Sequence, residues 1–135
     1  MNTKFLRTGV IILAGLIFIA PFTENRSGFV QANTFESLET RCGWFSNPTP
    51  ANASLYDRER EWTIAVQGGY QAKGDWPEFA SKQWVETNVH YGYGCACLKV
   101  RVDHEKSEVI EIVSSRARPL ATCRRDRSLR RWEFK

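Results

Sequence analysis

Cys95 and Cys97 stand one residue apart in HYGYGCACLKVRV, where a glycine-rich turn, HYGYG, leads into an expected strand, and the chain holds only two further cysteines, Cys42 and Cys123. In a β-strand, residues i and i+2 point to the same face, so the two sulfurs lie side by side and not toward each other. Bridging them would bend the strand and strain the disulfide. Each therefore reaches outward, one to Cys42 and one to Cys123, and the spacing leaves open which goes to which. Closing loops of these lengths is worth roughly 3–4 kcal/mol per bridge, against a total stability of about 5–15 kcal/mol for a domain. Two rival chemistries use the same residues. Cys95 and Cys97, with His90 and His104 nearby, offer soft ligands for copper or zinc, but the paired Cys-x-x-Cys spacing of a structural zinc site is missing. A redox site would want Cys-x-x-Cys opening a helix, which is also missing. Structural disulfides are the expectation, with no metal and no cofactor.

That reading needs an oxidising compartment, and the N-terminus points to one. Lys4 and Arg7 precede an apolar run from Gly9 to Phe22, shorter than the roughly 20 residues that span a bilayer. A charged head, a short apolar core and small residues beyond it form a secretory signal peptide. It is expected over residues 1–32, with Val30-Gln31-Ala32 as the cleavage site and Asn33 as the first mature residue. The length of the run argues against an uncleaved anchor, and no cysteine follows it to carry a lipid. An even number of cysteines in an exported chain reads as a disulfide framework. Periplasmic or secreted is the expected location.

Residues 33–135 suffice for one domain with a modest core, the kind that cross-links help. Of the 19 basic and 15 acidic side chains, three and one fall in residues 1–32, leaving 16 and 14. From Arg116 onward there are eight basic and two acidic residues. The chain is an acidic body with a basic tail, the densest part starting at about residue 124. Leu129, Trp132 and Phe134 would anchor a short tail helix suited to an anionic membrane surface; the plain alternative is a solvated end. Nucleic acid is disfavoured by export and by the lack of a recognition motif.

Periodicity reads as strand through most of the body. In EWTIAVQ (61–67), Trp62, Ile64 and Val66 share one face. In 95–102, Ala96, Leu98, Val100 and Val102 oppose Cys95, Cys97, Lys99 and Arg101. DHEKSE is a turn, and VIEIV returns as a hairpin partner with Ile110 and Ile112 facing one way and Glu111 across from Lys99 or Arg101. RARPLATC is expected to add a last strand delivering Cys123. TFESLET is helical or extended, and Asn47-Pro48-Thr49-Pro50 follows a short aromatic strand as a turn. DRER (57–60) is an exposed turn, and FASKQWVETN is a short helix or a strand at 83–87. The expected fold is mainly β: a small antiparallel sheet curled as a sandwich or open barrel, with room for one short helix and two disulfides.

Arg41-Cys42-Gly43-Trp44-Phe45, Asn47-Pro48-Thr49-Pro50, Trp62-Thr63-Ile64 with Gln67-Gly68-Gly69-Tyr70, and Tyr91-Gly92-Tyr93-Gly94-Cys95-Ala96-Cys97 resemble a family of small exported bacterial proteins catalogued as domain of unknown function 4087. The resemblance runs roughly from Thr40 to Leu129. It implies a bacterial, periplasmic protein with one such domain, and it carries no activity with it.

No catalytic set stands out. Ser46, Ser54 and Ser81 lack a nucleophile-elbow context. A small envelope hydrolase would have to use His90 with a carboxylate such as Glu86; Asp75 and Glu86 are the one carboxylate pair to consider for glycoside cleavage. His104 reads as a solvated turn residue. The aromatics are more suggestive. Trp44, Tyr70, Trp76, Tyr91 and Tyr93, with His90, stand in or beside expected loops rich in Gly or Pro, with Gln71, Asn47 and Asn88 near. Ring faces stack and amides hydrogen-bond, so these residues are expected to form a binding surface for an envelope protein or glycan. The competing reading is that the rings, like Trp62 on its apolar strand face, pack over a small core.

Overall fold

The computed structural model describes residues 37–134; the apolar N-terminal run and the expected cleavage site lie outside the described residues. Six strands follow in the order β1 (Leu38–Thr49), β2 (Asn52–Asp57), β3 (Glu61–Ala65), β4 (Trp84–Asn88), β5 (Tyr91–Asp103) and β6 (Glu108–Arg118), and then one helix, α1 (Leu120–Arg125). Single turns of 3₁₀ helix at Ser81–Gln83 and Arg127–Leu129 flank β4 and follow α1.

The strands pair β1-β2-β3-β6-β5, and β5 pairs back to β1, which closes a ring. A three-strand meander, a step from the third strand to the last, and a return to the first is the connectivity of small five-stranded Greek-key barrels of the OB type. β4 pairs with residues 91–94 of β5, beyond the stretch 95–103 that pairs with β6. The sheet is mixed, because β3 and β6 run parallel through Thr63 and Glu108. Beyond that point Gln71–Lys73 completes the seam: Ala72 N–H donates to Ile64 O, and Lys73 exchanges backbone bonds with Ile110 and Ile112.

Alternation on the strands makes two cores. The barrel interior holds Phe45, Leu55, Trp62, Ile64, Ala96, Leu98, Val100, Val102, Val109 and Ile112. The β5 face is the one expected. On β6 the buried pair is Val109 and Ile112, because the β5–β6 register shifts between Arg101 and Val102 and leaves Ile110 as the extra residue. Glu111 does fall opposite Arg101, with Nε to Oε2 at 3.1 Å. Val66 lies past the end of β3 and is 48 % exposed, so the expected third apolar position belongs to a loop.

The outer face carries a second core of Trp44, Tyr93, Cys95, Cys123 and Leu129, with Tyr56, Leu120, Trp132 and Phe134 packed on it. Here the expected last strand is corrected. β6 stops at Arg118, Pro119 caps the next element, and Cys123 arrives on α1. Proline has no N–H for a ladder and a φ suited to a helix start, which explains the break. Cys123 bonds to Cys95, and Cys42 bonds to Cys97 directly across the β1–β5 pair. No cysteine is free. The tail is not a solvated end: Leu129 is buried, and Trp132 Nε1 donates to Asp57 O at 2.7 Å.

Two segments read as turns are strand. β1 runs through Asn47 and Pro48, with the β1–β2 register shifting between Ser46 and Thr49 where proline withholds a donor. Only His90 of HYGYG stays in the turn, and Tyr91–Gly94 is the start of β5. Its glycines serve close strand approach: a Cβ on Gly92 would collide with Val85 O, as one on Gly43 would with Tyr56 O.

Candidate functional site

The two ends of the barrel are built from opposite chemistries. At one end Arg41 continues the inward row of Gly43 and Phe45 and is buried, its guanidinium 4.1 Å above the Trp62 ring. Its Nη1 donates to Asp57 Oδ2 at 2.7 Å and Glu59 Oε2 at 2.8 Å, and Nε and Nη2 donate to Glu39. Asp57, expected in an exposed turn, is 3 % exposed. It also accepts from Trp62 Nε1 at 2.9 Å and from the backbone N–H groups of Glu59 and Arg60. Burial works against its charge, but the backbone donors and Arg41 outweigh that and hold its carboxyl below the usual range. Burial likewise opposes the charge on Glu39, and hydrogen bonds from Ser37, His104 and Arg41 bring its pKa down to about 2. His104 is therefore not merely solvated: its Nε2 lies 2.7 Å from Glu39 and its ring meets Trp62 edge-on. Among the described residues no buried side-chain polar atom of this end lacks a partner, which makes it a polar plug over Trp62 and a structural element.

The other end is aromatic. Phe45 looks out of the barrel at Trp76, Phe79 and Trp84, with ring centroids 5.8, 5.8 and 6.5 Å away. Phe79 and Trp84 sit 4.9 Å apart. The long connection between β3 and β4 carries Trp76 and Phe79 over this end, and Gly94 makes the seat: a Cβ there would stand 2.7 Å from both Phe79 Cδ1 and Gln83 O. Trp84 is held by Nε1 donating to His90 O at 3.1 Å. All three rings are half-buried. Phe79 and Trp84 line an open cleft of about 440 Å³ together with Pro77, Ser81 and Glu86, whereas Trp76 packs against Phe45. Val89, beside it in the β4–β5 turn, takes φ 56° and is 80 % exposed, a costly conformation for a β-branched residue of the kind concentrated at functional sites.

The sequence-expected binding residues separate accordingly. Trp76 belongs to this aromatic end. His90 and Tyr91 lie at its edge, their rings tilted with centroids 4.2 Å apart and His90 exposed. Trp44 and Tyr93 are corrected: at 2 % and 6 % exposure they are second-core residues, meeting edge-on at 5.5 Å. Tyr70 is half-buried on the seam, its hydroxyl donating to Val109 O at 2.7 Å. Phe79 and Trp84 complete the cluster; Phe79 had no sequence signal beyond its place after Pro77. Among the described residues no hydrogen bond joins His90 to Glu86 or Asp75, and no group of three His, Cys, Asp or Glu side chains is placed to hold a metal ion. Cys95 and Cys97 are both in disulfides, a form that offers no thiolate ligand.

A family model described as protein of unknown function, DUF4087, matches residues 36–130. No curated protein and no solved structure matches the chain.

Proposed function

Since the chain belongs to this DUF4087 family, which brings no activity with it, we propose from the surface itself that it is an exported, periplasmic binding module. Its ligand is an envelope glycan taken across the aromatic barrel end. The carrying observation is the half-buried pair Phe79 and Trp84 lining an open cleft with Pro77, Ser81 and Glu86, while Trp76 packs against Phe45 in the same aromatic cluster. Sugar rings offer apolar faces for stacking and hydroxyls for such polar groups, and the cleft volume falls within the usual span for ligand sites. Two disulfides suit an oxidising compartment, and they stiffen the strands behind the cleft so that little ordering is needed on binding.

The test is titration of the oxidised protein with N-acetylglucosamine oligomers, followed by tryptophan fluorescence, beside capture from an envelope extract. Wild type should bind, and Trp84→Ala and Phe79→Ala should each weaken binding about tenfold or more while still melting cooperatively. Equal binding by wild type and both variants, or none at all, would overturn the proposal. Capture of a defined protein with no glycan affinity would also overturn the glycan assignment and move the surface to a protein partner.

A further inference from the structure

The outer face of β1, β5 and β6 carries a second, separate site. Register places Thr40, Lys99 and Ser114 in one row, Cys42, Cys97 and Arg116 in the next, and Cys95 beside Arg118 in the third. Neighbouring rows on one face are about 7 Å apart and neighbouring strands about 5 Å, so the three cations converge on one patch. They line a cleft of about 390 Å³ together with Thr40, Ser114 and Ser115, and no carboxylate lines it.

These cations are unmatched. Arg41 has three carboxylates, Arg101 has Glu111 and Lys106 has Asp103. Among the described residues Lys99, Arg116 and Arg118 have no hydrogen-bond or ion-pair partner. Like charges held together on a sheet repel. More telling, Arg118 Nε is buried with no acceptor, and buried donors of charged groups nearly always have one. The Cys42–Cys97 bridge spans the same face and fixes the β1–β5 spacing beneath it. A rigid, carboxylate-free cradle of two guanidinium forks, an ammonium and the hydroxyls of Thr40 and Ser114 suits a multiply charged tetrahedral oxyanion.

We propose that this face binds a phosphoryl group, presented either as free phosphate or as a phosphomonoester lipid headgroup. The site is independent of the aromatic end and stands whether or not that end takes a glycan.

The experiment is a ¹⁵N–¹H NMR titration of the oxidised protein with inorganic phosphate at constant ionic strength. Its second arm is flotation with phosphatidylcholine vesicles, with and without phosphatidic acid. Saturable shifts are expected at amides 97–99 and 114–118. Arg118→Gln and Arg116→Gln should weaken the affinity about tenfold or more, the loss of one charge-assisted hydrogen bond. Arg118→Lys, which keeps the charge and the fold but lacks Nε, should fall between, and Arg127→Gln, outside the cleft, should bind as wild type. Vesicle binding that requires phosphatidic acid and fails in the same variants assigns the lipid source; phosphate binding without flotation assigns the free anion. Absence of binding in both arms, or equal affinity in Arg118→Gln, Arg116→Gln and wild type, would overturn the site.

Discussion

Asp57→Asn tests the polar plug most directly, because it changes no shape and removes one charge. The Asp57 carboxylate has four donors: Arg41 Nη1, Trp62 Nε1 and the backbone N–H groups of Glu59 and Arg60. An asparagine can turn its carbonyl oxygen to the backbone pair, but its amide then faces Arg41 and Trp62, donor against donor. Removing one member of a buried ion pair costs about 3–5 kcal/mol. Glu39 and Glu59 remain on Arg41, so the lower end, about 3 kcal/mol, is expected. For a domain of this size that is a fall of about 12–24 °C in melting temperature at pH 7. The pH dependence gives a second reading. The folded carboxyl is held below its ordinary pKa, so its contribution is fully present above the unfolded value of about 3.9 and is lost as pH falls through the depressed one. Urea unfolding of wild type and variant, disulfides intact, should show the gap shrinking from pH 4 toward pH 2. A gap below about 1 kcal/mol at pH 7, or one undiminished at pH 2, would refute the reasoning.

Gly94→Ala should displace Phe79, whose Cδ1 would stand 2.7 Å from the new methyl; a cost of about 1–3 kcal/mol and an altered near-ultraviolet circular dichroism signal are expected. By contrast Gly68, at φ 72° with open space around it, should lose only about 1 kcal/mol as alanine, measured by the same unfolding assay. Replacing Cys42 and Cys97 by serine opens a link across 55 residues, and replacing Cys95 and Cys123 opens one across 28. Each pair should cost roughly 3.5–4 kcal/mol on the loop-entropy estimate, but only the second should let trypsin cut early at Arg124 and Arg125, because only there is α1 released.

The face of β5 could be read before any coordinates, since Ala96, Leu98, Val100 and Val102 alternate with residues that have to face outward, and the two same-side cysteines follow from the same parity. What escaped was long-range. Nothing local tells Arg41 that Asp57 will stand across the barrel end, so the burial of this arginine carries no signal in the sequence. The glycines beside Trp44 and Tyr93 signal turns by composition, yet Gly43 and Gly92 are glycine because neighbouring carbonyls press on the strand. The aromatics beside them therefore looked exposed and are core. Trp76 stays half-buried beside the breakers Gly74 and Pro77, whereas Phe79 gains its place only because the β3–β4 connection folds back over Phe45. Ile110 and Ile112 were misread as one face for a related reason: a bulge consumes a residue without changing composition.

The β1–β5 register has a consequence for how the chain matures. Sliding β1 by two positions keeps every side chain on its proper side, and it would set Cys42 opposite Cys95 in place of Cys97. Hydrophobic sorting is blind to that error. A chain that first joins Cys95 to Cys123 has removed the decoy and leaves Cys42 a single mate, whereas one that oxidises Cys42 first can lock itself out of the native form. Oxidative maturation would then benefit from a disulfide isomerase, and the helix after Pro119 acts as proofreader for a strand pairing laid down more than twenty residues earlier.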